Sequence, residues 1–419
     1  MEATLSNRNH PEYGTITIQF PIPMEQYDSC LEQIQALEIG DAVTQDCHVD
    51  GISKTLPILD CLKDQQVNFD ELNFLAHCVK EFYGDERAQF EASASALGLT
   101  QIRDLINLLF CVDNVTVIQN FSNLEQQGAA HYLHIRGGVA PTADVESVDK
   151  GKLMRELIAS GQGIVTPYGV YYGNGMEMQQ LYTGRNFPTH TEDARAMIAT
   201  LTRLTEPETA DDYTLIHFPV PESFLPRAMI RGGLDHEERV CVALDMETGP
   251  DEILDVIGDE HTVALDSEFL EELNAMCRTV YNLPYNSYDK LGAVIRFAEP
   301  QDAAQIRRLA ENLEMFEFIP DVQTPEEYAK HLLKDSGLLR EDQELAEFFD
   351  YKAYGEQQVR LYDGRFSERG YVALHASITL EELMMDDPSE PRVEKALKEQ
   401  LEAIGRRKPR SRRKKGQER

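Results

Sequence analysis

Tryptophan is missing from all 419 residues, an absence that by itself excludes nothing; other absences exclude more. No run of 18 apolar residues occurs, so nothing reads as a membrane-spanning helix, and no basic-then-apolar leader opens the chain. The seven cysteines are odd in number and lack close pairs, which fits buried thiols in a reducing compartment rather than a disulfide framework. These features predict a cytoplasmic protein.

Motifs that carry chemistry are missing too. The sequence has no GxxxxGK[ST], no GxGxxG after a strand, no HExxH and no EF-hand loop. Gly169, Gly173 and Gly175 approach a glycine-rich loop, but no Lys, Ser or Thr follows to hold a phosphate, so a turn between strands is the better reading. His131 and His134 could share a helix face, yet no carboxylate or cysteine stands at a third ligand spacing, and Cys47-His48 and Cys61 lack the paired spacing of a zinc site. His190 lies beside Glu192 and Asp193 without a nucleophile in an elbow-like context. Arg136-Gly-Gly138 and Arg231-Gly-Gly233 read as turns. The expectation is a protein with no catalytic residues, no metal and no cofactor.

Acid is what the chain has in excess. It carries 73 Asp and Glu against 40 Lys and Arg, a net charge of −33. Residues 405–419 hold nine Lys and Arg and one Glu, so residues 1–404 carry 31 basic and 72 acidic groups, a net of −41. Ordinary acidic solubility or a salt-adapted host would also account for this. A charge so large repels nucleic acid and attracts basic proteins. A hydrophobic fraction of 42% supplies real cores, so the carboxylates are expected on folded units rather than on a disordered polyanion.

The chain also repeats itself. TITIQFPIP at Thr15–Pro23 parallels YTLIHFPVP at Tyr213–Pro221, each a β-rich run ended by prolines, which cannot continue a central strand. Further matches follow in order: Asp70–Ala76 with Asp289–Ile295, Gln89–Leu97 with Gln305–Leu313, the segments ending at Leu133 and Leu333, and Leu181–Arg185 with Leu361–Arg365. They predict a tandem duplication, roughly 12–205 and 206–375, and an elongated molecule, since each copy repeats its own core. Met24, Tyr27, Leu31, Ile34 and Leu37 fall on one helical face; 70–79 and 101–110 read as core helices, 164–171 as a strand pair and Arg239–Met246 as a strand. Thr324 and Glu327 have capping-box spacing, with Pro325 at the permitted first helical position. The stripe Val393, Leu397, Leu401 and Ile404 suggests a helix before the basic run. The expected fold is α+β, an internally duplicated array of small α/β domains with a basic tail. The expected boundaries are 1–140, 141–205, 206–315, 316–391 and, for the helix and tail, 392–419.

Residues 325–354 are more specific. Asp335, Gly337, Leu338 and Leu339, followed by Phe349, Asp350, Tyr351, Ala353 and Tyr354, resemble the C-terminal third of the ArdA antirestriction proteins. Over about 15–390, LNFLA, DLINLLF, VTPYGVYYGNGM, LYTGR and ELMMDDP are similar to a longer ArdA-like group from mobile elements of gut bacteria. The resemblance implies a curved acidic rod of small α/β domains that binds the DNA-recognition and methyltransferase core of type I restriction-modification enzymes and blocks their DNA groove. Duplex DNA presents one charge per ~1.7 Å, so ~41 charges at that pitch would span ~70 Å, an upper bound for one chain. Asp335, Glu341, Asp342, Glu344, Glu347 and Asp350 are the expected partner-facing cluster, with Asp363, Asp386 and Asp387 as secondary members. Small ArdA proteins are about half this length, which leaves open a homodimer or a built-in dimer. The alternative from a different class is a scaffold or regulator of a conjugative element, whose basic tail contacts nucleic acid.

Overall fold

The computed structural model describes residues 1–53, 56–136, 139–189, 195–205, 212–235, 239–265, 268–336 and 349–385. The fold is α+β, and the described strand pairings are antiparallel. The chain divides into two compact units. The first is residues 1–193 with 205–214 and 221–237; the second is the remainder. Among the described residues, no helix is long and apolar enough to cross a membrane.

The first unit opens with β1 (Glu2–Ser6), β2 (Thr15–Gln19), helix α1 (Met24–Gln35), β3 (Cys47–Ile52) and β4 (Gln66–Val67), which form a sheet in the order β2-β1-β3-β4. Helix α1 buries Tyr27, Leu31 and Ile34 as its periodicity predicts. Three helices follow: α2 (Phe69–Lys80), α3 (Glu86–Leu97) and α4 (Ile102–Leu109). Asn68 caps α2 by accepting from the amides of Asp70 and Glu71, at 2.9 and 3.2 Å. Phe20, Tyr27, Phe69, Leu72 and Ile106 fill the common core. Next come β5 (Thr116–Ile118), α5 (Leu124–His134), α6 (Thr142–Ser147), α7 (Lys150–Ala159), β6 (Ile164–Thr166) and β7 (Gly169–Tyr172), with sheet order β5-β7-β6. The expected strand pair at 164–171 is this β6–β7 hairpin. The unit is completed by α8 (Phe224–Gly232).

The second unit holds β8 (Met197–Arg203), β9 (Thr214–Phe218), β10 (Arg239–Met246), α9 (Glu252–Ile257) and β11 (Glu260–Ala264), with sheet order β11-β10-β8-β9. Again three helices follow: α10 (Phe269–Tyr281), α11 (Tyr288–Ala298) and α12 (Ala303–Glu311). The last part is β12 (Phe316–Pro320), α13 (Pro325–Ser336), α14 (Tyr351–Tyr362), β13 (Arg365–Ser367), β14 (Gly370–Leu374) and α15 (Leu380–Met384), with sheet order β12-β14-β13. Its small core stacks Tyr328 on Tyr371 with centroids 4.0 Å apart. The capping box at α13 forms: Thr324 N donates to Glu327 at 3.0 Å, and Glu327 N donates to Thr324 Oγ1 at 3.3 Å.

The strand orders of the two units correspond, and so do their Phe-Pro stops. Phe20-Pro21 and Phe218-Pro219 are both cis, and the next residue is held by a helix asparagine: Ile22 N by Asn73 Oδ1 and Val220 N by Asn274 Oδ1, both at 2.8 Å. Some sequence matches fall on unlike elements. By element order α2, which holds 70–76, corresponds to α10, whereas 289–295 lies on α11. Gln89–Leu97 lies on α3, but Gln305–Leu313 begins on α12, the counterpart of α4. Leu181–Arg185 is irregular chain after β7, whereas Leu361–Arg365 runs from α14 into β13. Short matches track local composition; the Asn–amide bond tracks position in the fold.

Candidate interaction surface

The surface charge is shaped by where the arginines go. In the first unit Asp70, buried on α2, accepts from Arg227 Nε at 3.0 Å, from Arg231 and from the Tyr27 hydroxyl. Arg227 also donates to the carbonyls of Gly40 and Asp41, at 2.7 and 3.1 Å. The Arg231 guanidinium lies 4.9 Å from the Phe187 ring centroid and 5.1 Å from that of Phe224. Burial, and then the Asp70 charge, push the Tyr27 phenol far up, so it donates its proton inward. Arg231 therefore does not sit in the expected turn: it is a buried residue of α8, and only Gly233, left-handed at φ 71°, forms the cap. Next to Asp70, buried Glu71 accepts from Arg103 Nε at 2.8 Å and from the Tyr182 hydroxyl at 3.1 Å.

A second hub stands in the second unit. Glu252, 2% exposed, accepts from Arg296 Nε and Arg369 Nε, both at 2.8 Å, and from Arg369 Nη2 at 3.0 Å. Burial favours the neutral acid, but the Arg369 bonds and charge outweigh it and hold the carboxyl below its ordinary range. Gly292 makes room: a Cβ there would stand 2.6 Å from Glu252 Oε2.

With Arg227, Arg231, Arg296 and Arg369 engaged with carboxylates, exposed Asp and Glu outnumber exposed Lys and Arg by close to three to one among the described residues. The densest acidic stretch is one the sequence reading passed over. Between Arg239 and Arg278 there is no Lys or Arg at all. Asp245, Glu247, Asp251, Asp255, Asp259 and Glu260 lie exposed at the ends of β10, α9 and β11. Glu268 is exposed just before α10, whose first turn adds Glu271 and Glu272. Burial, and then the charges of Asp302 and Glu268, push the Glu272 carboxyl up. The signal available in the sequence was the length of chain free of basic residues.

Of the residues expected to face a partner, Asp335 is exposed near the end of α13. Asp350 is the N-cap of α14, accepting from Ala353 N at 2.9 Å, a local role that leaves it exposed. Phe349 packs against Tyr351 and Tyr354, so Phe-Asp-Tyr-x-Ala-Tyr is a capped helix start. Asp363 is exposed at the left-handed C-cap of the same helix. Glu341, Asp342, Glu344, Glu347, Asp386 and Asp387 lie outside the described residues, as do His190, Glu192, Asp193 and the basic tail.

One cleft in the second unit, about 580 Å³, is bordered by Arg296, Glu299, Arg365 and Glu368, and Arg365 donates to Glu299 at 3.1 Å. Among the described residues no three His, Cys, Asp or Glu side chains come together as a metal site would require. Compared with known proteins, the chain matches no family model and no curated protein.

Proposed function

We propose that this chain is a non-enzymatic, acidic mimic of duplex DNA that occupies the DNA groove of a type I restriction-modification enzyme, the activity implied by its likeness to the ArdA proteins. The observation that carries the reading is a surface rich in carboxylates, on which arginines are engaged in ion pairs and the stretch from 240 to 277 holds no Lys or Arg. Carboxylates on folded elements can stand where phosphates stand before Arg and Lys donors of a DNA-binding partner. The matching sheet orders and the paired Asn73 and Asn274 bonds support a tandem duplication.

The test is competition. A type I methyltransferase complex holding labelled duplex DNA is titrated with the full chain at low and at physiological salt. Displacement that weakens steeply with salt is expected, because the contacts are ionic. Absence of displacement at low salt overturns the reading. Loss of effect on neutralising the nine Lys and Arg of 405–419, with body carboxylates dispensable, would favour a scaffold that works through its tail.

A further inference from the structure

Helix α5 is fastened to β5 through one hydroxyl shared by two histidines. Thr116, 2% exposed on β5, places Oγ1 2.8 Å from His131 Nδ1 and 3.3 Å from His134 Nδ1. Asn174, just past β7, puts Nδ2 2.9 Å from the same oxygen and 3.0 Å from the Asn114 carbonyl. Gln89, buried on α3, puts Nε2 2.8 Å from the Val115 carbonyl and 3.1 Å from His134 Nε2.

Donor counting assigns every proton in this cluster. Only a donor can face a carbonyl, so the nitrogens of Asn174 and Gln89 are oriented by Asn114 and Val115. Gln89 can then only donate to His134 Nε2, which must be bare; the His134 proton sits on Nδ1 and points at Thr116. The hydroxyl oxygen accepts from Asn174 and His134 and has no further lone pair. Its own proton goes to His131 Nδ1, which must also be bare.

We infer that this relay is an acid-sensitive latch: it holds α5 on β5 only while both rings are neutral, and a proton on either ring opens it. A second proton on His134 would face the Gln89 amide, donor against donor. One on His131 Nδ1 would face an oxygen already saturated. Burial holds both rings below the ordinary histidine range. The charges facing the pair are Asp85 ahead of α3 and Asp113 ahead of β5, which offset part of this for His134, while His134 itself adds to it for His131. The charged side chains of α6 and α7, which also pack on α5, are Asp144, Glu146, Lys150, Lys152, Arg155 and Glu156. Opening would disturb the packing of α7 as well, which approaches α5 so closely that a Cβ built on Gly128 would stand 2.3 Å from the Lys150 carbonyl oxygen.

Because folded-state values are lowered, stability is complete above the unfolded histidine value of about 6.5 and is lost as pH falls from there toward the shifted values. The experiment uses the full chain with nitrogen-labelled histidine, resonances being assigned by His131→Gln and His134→Gln. His131 is expected as the Nε2–H tautomer and His134 as the Nδ1–H tautomer, both titrating below about 6.5. Amide exchange, corrected for its intrinsic pH dependence, should quicken in α5 by about tenfold or more between about pH 7.5 and 5, while β10 stays protected. Gln89→Met removes the donor that opposes a second proton on His134 and should move the His134 titration up toward the ordinary value. Opposite tautomers, titration of either ring at or above 6.5 in the unsubstituted chain, or an α5 protection profile flat across the range would each overturn the latch.

Discussion

Arg227 Nε lies 3.0 Å from Asp70 Oδ2, a bond between side chains 157 positions apart in sequence. Asp70 takes Arg231 and Tyr27 as well, so one buried carboxylate bonds two guanidiniums and a phenol. Replacing Asp70 with Ala strands both cations and the Tyr27 hydroxyl in the core. Removing one partner of a buried pair costs about 3–5 kcal/mol, so Asp70→Ala should lower the first unit's stability by at least that much in urea unfolding. Combining Asp70→Leu, Arg227→Met and Arg231→Met removes all three charges and should recover much of the loss.

Glu252 gives the second unit a pH signature. Its folded-state value is depressed, so its contribution is present above the ordinary carboxylate value and disappears as pH falls through the lowered one. Unfolding midpoints of the full chain should therefore fall on acidification below about pH 4.3. Glu252→Gln should lower stability at neutral pH and flatten that acid limb. An unchanged acid limb in the variant would show that other carboxylates carry it.

Gly355 on α14 meets the start of α13 at close range: a Cβ there would lie 1.8 Å from the Pro325 carbonyl oxygen. Gly355→Ala must push the two helices apart, and overpacking of this kind costs about 1–3 kcal/mol. Amide exchange in α13 and α14 should quicken, while the β10 sheet keeps its protection.

For partner binding, the summed field matters more than any one group. An exposed ion pair is worth roughly 0.2–1 kcal/mol, so a single Asp or Glu to amide change among Asp245, Glu247, Asp251, Asp255, Asp259 and Glu260 should weaken binding by less than about fivefold. Neutralising all six should weaken it on the order of a hundredfold and reduce its salt dependence. Equal loss from six exposed acids of the first unit, such as Glu2, Glu12, Glu25, Glu32, Asp50 and Asp60, would show a field spread over the body.

Local elements were legible because their signals are local. The face of α1, the β6–β7 hairpin, β10 and the Thr324–Glu327 box each rest on side chains within one or two turns of each other. Where the reading failed, the decisive partner was remote. Arg231 beside two glycines looks like a turn until Asp70 is placed against it. The motif around Asp350 is local instead, its aspartate capping a helix three residues on while staying exposed. The two histidines of α5 looked ordinary because Thr116, Gln89 and Asn174 approach them from other elements.

What the sequence determines by itself is the excess of acid, the alternation of short strands and helices, and the paired Phe-Pro stops, all properties of composition and near neighbours. Which charges remain at the surface was decided only by the tertiary structure. A guanidinium leaves water when a carboxylate and carbonyls are already positioned to receive it, and the fold alone brings Asp70 to Arg227 and Glu252 to Arg369.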